Sequence, residues 1–292
     1  MAILEKQGKV IFIAHHSSTQ NLRIYRFRDL NVSGRTLSFM KMRSVELGVW
    51  RHRDIMLGSF CVTTPHAFPA VRLFVSLDVP FRVRFDGGPL RTVMAAIVEP
   101  NRVFAFEASE MPLMQVYAAT HTKRARALVH IAHNWGETDP RVIEARRPEL
   151  LRALGGSYDV DGADEWLTSL LEDKPCKACA PPVDWRIPRA FDETQPSTLV
   201  PSIHGLAASV RLSADHFSHL FREVMGVPYR NYALMLRVRQ VLAVAPFTDS
   251  LTAAAHAAGF ADLAHFTRTF RRMCGTTPSQ FLRKTSVRVL ND

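Results

Sequence analysis

No stretch of about 18 consecutive apolar residues occurs, so no membrane-crossing helix and no membrane partner are expected. The opening residues, MAILEKQGKV, lack the apolar centre of a secretory signal. Cysteine is scarce, four in 292 residues, and its spacing forms no framework, which argues against a disulfide scaffold and for a reducing, cytoplasmic location. Charged residues make up only 22% against 47% hydrophobic, which leaves no room for an extended disordered tail. His15, His16, His52, His66 and His121 are too scattered for a clustered metal site, and no cofactor-cradling loop or catalytic constellation stands out. The expectation is therefore a protein without cofactor or metal, and not an enzyme.

The chain has a formal charge of +10, compatible with a polyanionic partner. That charge does not locate a site: the residues before Val183 and those from it onward each carry a net +5. Local patterning is more informative, above all in the tract LTAAAHAAGFADLAHFTRTFRRMCGTTPSQFL, Leu251 to Leu282. A small-residue helix is expected to end at Gly259, and a second to begin near Asp262. In the second, Leu263, Phe266, Phe270 and Met273 recur at helical spacing and make one buried stripe. The other faces present Ala264, His265, Thr267, Arg268, Arg271 and Arg272. Gly275 supplies a helix stop and Pro278 opens the next short helix. Two helices about a tight glycine turn, the second cationic on its outer side, form a helix-turn-helix suited to a major groove.

A second copy lies upstream. Ile203–Val210 is a short helix, Ser213 an N-cap, and Ala214–Met225 the following helix, with Phe217, Leu220, Phe221 and Val224 turned inward. Asp215, Ser218, His219 and Arg222 face outward. Gly226 and Pro228 end that helix and start a long one over Pro228–Ala245. HFSHLFREVMGVPYRNY and HFTRTFRRMCGTTPSQF share His-Phe, the central Phe-Arg, the Gly and the Pro, an internal repeat of about 49 residues.

The stretch from about Asp184 to Arg283 resembles the tandem helix-turn-helix DNA-binding domain of the AraC/XylS family of transcription regulators. GFADLAHFTRTFRRMCGTTPSQF closely matches that family's C-terminal signature. The resemblance implies seven helices in two subdomains joined by a long helix, with two recognition helices in successive major grooves of promoter DNA. A helix of about 17 residues spans roughly 25 Å, against about 34 Å between successive grooves. Carried over by position, Asp215, Ser218 and His219 face bases in the first half-site. Leu263, Ala264, His265, Thr267 and Arg268 do so in the second. Arg268 suits guanine and Asp215 suits cytosine, whereas Leu263 and Ala264 offer only methyl contacts. Leu263 reads first as packing, and His265 is shared between interdomain packing and DNA contact. Arg222, Arg271 and Arg272 suit phosphates. Two positions depart from the family pattern. Arg211 stands where a glycine is usual, so the first turn is expected to be strained or slightly opened. Ala261 takes the place of the usual N-cap serine, leaving Asp262 to compensate through the helix dipole.

Residues 1–120 read as short strands over Lys9–His15, Arg35–Met42, Val45–Arg51, Ile55–Cys61, Val71–Leu77, Phe81–Phe85, Arg91–Val98, Val103–Glu107 and Leu113–Ala119. In FRVRF the Phe81, Val83, Phe85 face alternates with Arg82 and Arg84. A barrel or jelly roll follows, similar to the cupin-like sensor domain of many AraC-type regulators. The fold class is thus α+β: a cupin-like β domain (1–120), a helical dimerisation or connector segment (121–172), a linker (173–183) and an all-α DNA-binding domain (184–285). Helices are expected over Thr122–Asn134, Pro140–Leu154 and Glu165–Leu171. A small-molecule effector pocket inside the barrel, lined by Phe60, Phe74, Met94, Phe106 and Tyr117, competes with simple core filling by the same residues.

The resemblance adds a homodimer and RNA polymerase as partners, in a bacterial cytoplasm. An alternative is a redox- or metal-responsive protein using Cys176 and Cys179, a CxxC beside Lys174 and Lys177 that would lower thiol pKa. A zinc site there needs two further ligands, and Cys61 and Cys274 fall in different domains.

Overall fold

The computed structural model describes residues 2–6, 9–13, 45–50, 52–60, 63–107, 111–135, 140–172, 184–193, 200–245, 248, 250–283 and 285–289. The expected strand at Arg35–Met42, the linker, Cys61, Cys176 and Cys179 lie outside them. Strands come first: β1 (Ala2–Lys6), β2 (Lys9–Ile13), β3 (Val45–Val49), β4 (Arg53–Phe60), β5 (His66–Ala67), β6 (Val71–Ser76) and β7 (Phe81–Phe85). There follow β8 (Arg91–Val93), β9 (Ala95–Val98), β10 (Val103–Glu107) and β11 (Met111–Ala118), with β12 (Thr285–Val289) at the far end of the chain.

β1 and β2 pair as an antiparallel hairpin. The other strands form two sheets, β5-β10-β7-β8 and β12-β3-β4-β11-β6-β9. Every neighbouring pair is antiparallel except β12–β3, which is parallel. Phe81, Val83 and Phe85 are buried and Arg82 and Arg84 exposed, as the alternation requires. The expected single strand Arg91–Val98 is two: it breaks at Met94, so that β8 closes one sheet and β9 the other. A chain that turns the corner of a sandwich must change sheets, and periodicity alone does not mark the bend.

Between the sheets, Phe74, Phe81, Val83, Phe104, Phe106 and Leu113 form an apolar filling. Three helices cover the outer face of the six-stranded sheet: α1 (Lys123–Trp135), α2 (Arg141–Leu154) and α3 (Val160–Glu172). Because β6 has the filling on one side and these helices on the other, all six of its residues are buried. The third helix begins five residues before the expected Glu165. Gly162 hides that start, yet its backbone runs close to α2: a Cβ there would lie 3.2 Å from Ala153 O.

Seven helices occupy the described residues of 184–283. They are α4 (Arg186–Asp192), α5 (Ile203–Ser209), α6 (Ala214–Met225), α7 (Tyr229–Val244), α8 (Leu251–Ala257), α9 (Leu263–Cys274) and α10 (Pro278–Leu282). The long helix α7 is buried nearly all round, by Tyr229, Tyr232, Met235, Leu236, Val238, Val241 and Leu242, because both helix-turn-helix units pack on it. Its cluster continues into the N-terminal domain through Leu47, Val49, Phe68, Ala70, Tyr117 and Ala119. The two halves of the molecule therefore share one apolar core. Among the described residues, no helix is long and apolar enough to cross a membrane.

Candidate nucleic-acid interface

Each helix-turn-helix is built by the same local chemistry. In the first unit, Ser213 caps α6 by accepting from His216 N at 3.2 Å, and Gly226 ends it with φ 70°. In the second, the Asp262 carboxylate accepts from His265 N at 2.6 Å, and Gly275 ends α9 with φ 68°. Asp262 is thus the N-cap itself, not a remote compensator for Ala261. The reason is the turn length. The turn closes through Leu212 N to Ala207 O in the first unit and Phe260 N to Ala255 O in the second. From those donors to the caps, Ser213 and Asp262, the second unit has one residue more. The cap holds the Asp262 carboxyl below its ordinary range, chiefly through the backbone N–H of His265.

Arg211 has φ 57°, left-handed backbone for a residue with a Cβ, where the second unit has Gly259 at 81°. The first turn is therefore strained but not opened, since Leu212 N still reaches Ala207 O at 2.9 Å.

The inward stripe of α6 is Phe217, Leu220, Phe221 and Met225; Val224, expected there, is half-buried. In α9 it is Phe266, Thr269, Phe270 and Met273, with Leu263 half-buried against the same cluster. Thr269 was not legible as a buried position because its methyl, not its hydroxyl, carries the apolar pattern. Outward lie Asp215, His219 and Arg222 on α6, and Ala264, Arg268, Arg271 and Arg272 on α9, all exposed. Ser218, His265 and Thr267 are half-buried. The His265 ring stands edge-on to Phe260 in its own unit, 5.3 Å between centroids. Arg237 of α7 donates to Gly259 O at 3.2 Å and braces the second turn.

The residues expected to line an effector pocket do not all meet. Phe74 and Phe106 pack ring to ring at 5.5 Å inside the sandwich, with Phe60 half-buried against them. Met94 is half-buried at the break between β8 and β9. Tyr117 belongs to the core shared with the helix-turn-helix half, beneath the Arg239 guanidinium at 4.8 Å. Burial pushes its hydroxyl up to about 12. A separate cleft of about 300 Å³ is lined by His52, Arg53, Ala118, Thr122, Lys123 and Arg124. Arg53 grips Asp164 through two bonds, at 2.9 and 2.8 Å, and Arg124 reaches Asp164 at 2.6 Å and Thr168 at 2.7 Å. This network ties β4 and α1 to α3. Burial drives the Cys274 thiol up to about 12, which makes it a packing group, not a nucleophile.

The sequence reading missed Asp54 and Arg239, which are 185 positions apart. Arg239 donates to both Asp54 carboxylate oxygens, at 2.8 and 2.6 Å, and to Trp50 O at 2.5 Å. Burial raises the Asp54 carboxyl, and Arg239, Arg72 and Arg53 pull it back part of the way. Arg239 itself is held protonated by Asp54. Only an arginine set among Val238, Val241 and Leu242 of α7 hinted at a buried partner.

A family of helix-turn-helix domains, HTH_18, matches residues 206–284. None of the curated proteins matches the chain in sequence. Among solved structures, an apo lysine-to-alanine variant of ToxT from Vibrio cholerae strain SCE256 is similar over 80% of this chain and 98% of its own, with 8% identity and a TM-score of 0.51. A 1.65 Å structure of ToxT from Vibrio cholerae in a P21 form covers 80% and 98%, with 10% identity and a TM-score of 0.48. Wild-type ToxT from strain SCE256 with bound unsaturated fatty acid covers 80% and 94%, with 12% identity and a TM-score of 0.45. At these identities the likeness concerns the fold, and the first of the three carries it. Residues 206–284 are thus an AraC-type helix-turn-helix domain, placed behind a sheet-rich N-terminal region in a fold shared with ToxT.

Proposed function

We propose that the chain is a sequence-specific transcription regulator whose helices α6 and α9 lie in successive major grooves on one side of promoter DNA. The observation that supports this most is the repeat itself. Two helices of 12 residues, each capped by a side-chain oxygen and closed by a left-handed glycine, bury an aromatic stripe and leave a polar or cationic face in solvent. In this reading Asp215, Ser218 and His219 face one half-site, and Ala264, His265, Thr267 and Arg268 the other. Leu263 packs. Arg222, Arg271 and Arg272 hold phosphates and set the register.

The proposed division is a cupin-like domain over 1–120, a connector over 121–172, and a DNA-binding domain over 184–285. A small molecule acting on the N-terminal domain would reach DNA through the shared core and the Asp54–Arg239 pair. Such an effector raises the melting temperature of the full chain by mass action. The deciding experiment compares the full chain on its promoter fragment and on random duplex of equal length at physiological salt. A sequence-specific regulator binds the promoter at least about 10³-fold tighter. Equal affinity would make the chain a non-specific binder and overturn the proposal.

A further inference from the structure

Besides the shared apolar core and the β12–β3 pairing, polar bonds from the N-terminal domain reach three helices of the helix-turn-helix half, α6, α7 and α9. On α6, the carbonyl of the closing residue Gly226 accepts from Asn101 Nδ2 at 2.9 Å. Asn101 is itself fixed, with φ 61° and its N–H bonded to Phe68 O at 2.8 Å. On α9, the carbonyl of the closing residue Gly275 accepts from both Thr64 N and Thr64 Oγ1, each at 3.1 Å. The seat is close: a methyl at Gly275 would lie 2.6 Å from His66 Nδ1 and 2.7 Å from Thr64 O. On α7, between the two units, Arg239 donates two buried hydrogen bonds to the Asp54 carboxylate.

Both recognition helices are thus held by the last carbonyl, the end away from their exposed leading turns. Asp215, His219, Ala264 and Arg268 remain in solvent. A domain that blocked DNA would cover those faces; this one takes the ends opposite to them. One helix end alone can rock about the packed face of α7. Two ends and the helix between them, fixed to one sandwich, cannot.

We infer that the N-terminal domain positions the two recognition helices relative to each other, so that Asn101, Thr64 and the Asp54–Arg239 pair set which spacing of two half-sites is accepted. The inference rests on the DNA-binding reading above. One inserted base pair shifts the second half-site by about 3.4 Å and turns it by about 35°. A braced pair of helices cannot follow that displacement, whereas a released pair can.

The test uses the full chain throughout. An Asn101→Ala/Thr64→Ala variant removes two side-chain grips. A separate Asp54→Asn/Arg239→Gln variant removes the third and leaves neither member of that pair charged. The first readout needs no DNA: distance distributions between labels carried by non-natural amino acids at positions 223 and 264. The wild-type distribution should be narrow, and either variant should widen it. The second readout compares a selected duplex with copies in which the half-sites are one base pair closer or farther. The wild type should lose at least about tenfold in affinity on the altered spacings, and the variants less than about threefold, the scale on which coupled sites depart from additivity. Unchanged widths together with an unchanged spacing penalty in both variants would overturn the inference. If no duplex is bound at all, the regulator reading fails, and the label distances alone then decide: widened in the variants, the brace stands; unchanged, it falls.

Discussion

Arg211 occupies a backbone conformation that costs a residue with a Cβ about 1–2 kcal/mol, and its counterpart Gly259 avoids that cost. Arg211→Gly should therefore stabilise the chain by about 1 kcal/mol in urea unfolding, without moving the turn. No gain would mean that the surrounding contacts already relax the strain. At the DNA face the two kinds of arginine are expected to part company. Arg268→Ala should cost about 1–3 kcal/mol on the preferred duplex and loosen preference at one base pair. Arg271→Ala should weaken all duplexes alike and flatten the salt dependence by about one ion. Binding profiles across randomised sites at several salt concentrations separate the outcomes, and identical profiles for the two variants would contradict both assignments. Single residues were legible where one backbone rule governed them, as with Ser213, Gly226 and Gly275. They were illegible where the answer depended on distant chain, as with Arg239, whose partner is a strand residue far upstream.

Among whole elements, α9 depends on its first turn more than its composition shows. Asp262→Ala removes the only side-chain acceptor for His265 N among the bonds described, and should cost about 1 kcal/mol. Asp262→Asn, which keeps an accepting oxygen, should recover most of that loss in thermal unfolding. If alanine and asparagine behave alike, the cap is not what orders the turn. The tandem helices were readable because three independent signals coincide in each: a cap, a buried stripe and a glycine stop. Strands were readable where polar and apolar residues alternate, as in Phe81–Phe85, and where a short apolar run is bounded by turn residues, as in β6. α4, β5 and β12 escaped notice. The first is a helix of only seven residues, the second has two residues, and the third owes its order to pairing with β3. A strand pairing across most of the chain leaves no local mark.

The whole molecule is sensitive to acid at one seam. His66 lies against Phe104, 4.2 Å between ring centroids, with Nδ1 donating to Thr64 O at 2.7 Å. Burial lowers its pKa to about 4 from 6.5, so the folded chain favours the neutral ring. That preference contributes its full share of stability above about pH 6.5, and loses up to about 3 kcal/mol as pH falls towards 4. Urea midpoints measured between pH 7 and 4.5 should fall accordingly, and His66→Phe should flatten the decline. A decline of the same size in that variant would place the titrating group elsewhere.

The return of β12 to the N-terminal sheet means that the helix-turn-helix half is tethered at both of its ends. One cut by a protease between Glu172 and Asp184 would therefore leave a nicked protein that still travels as a single particle on a sizing column. The helix-turn-helix piece could leave only if the last strand let go as well, so scission of the linker alone would not serve as a release signal.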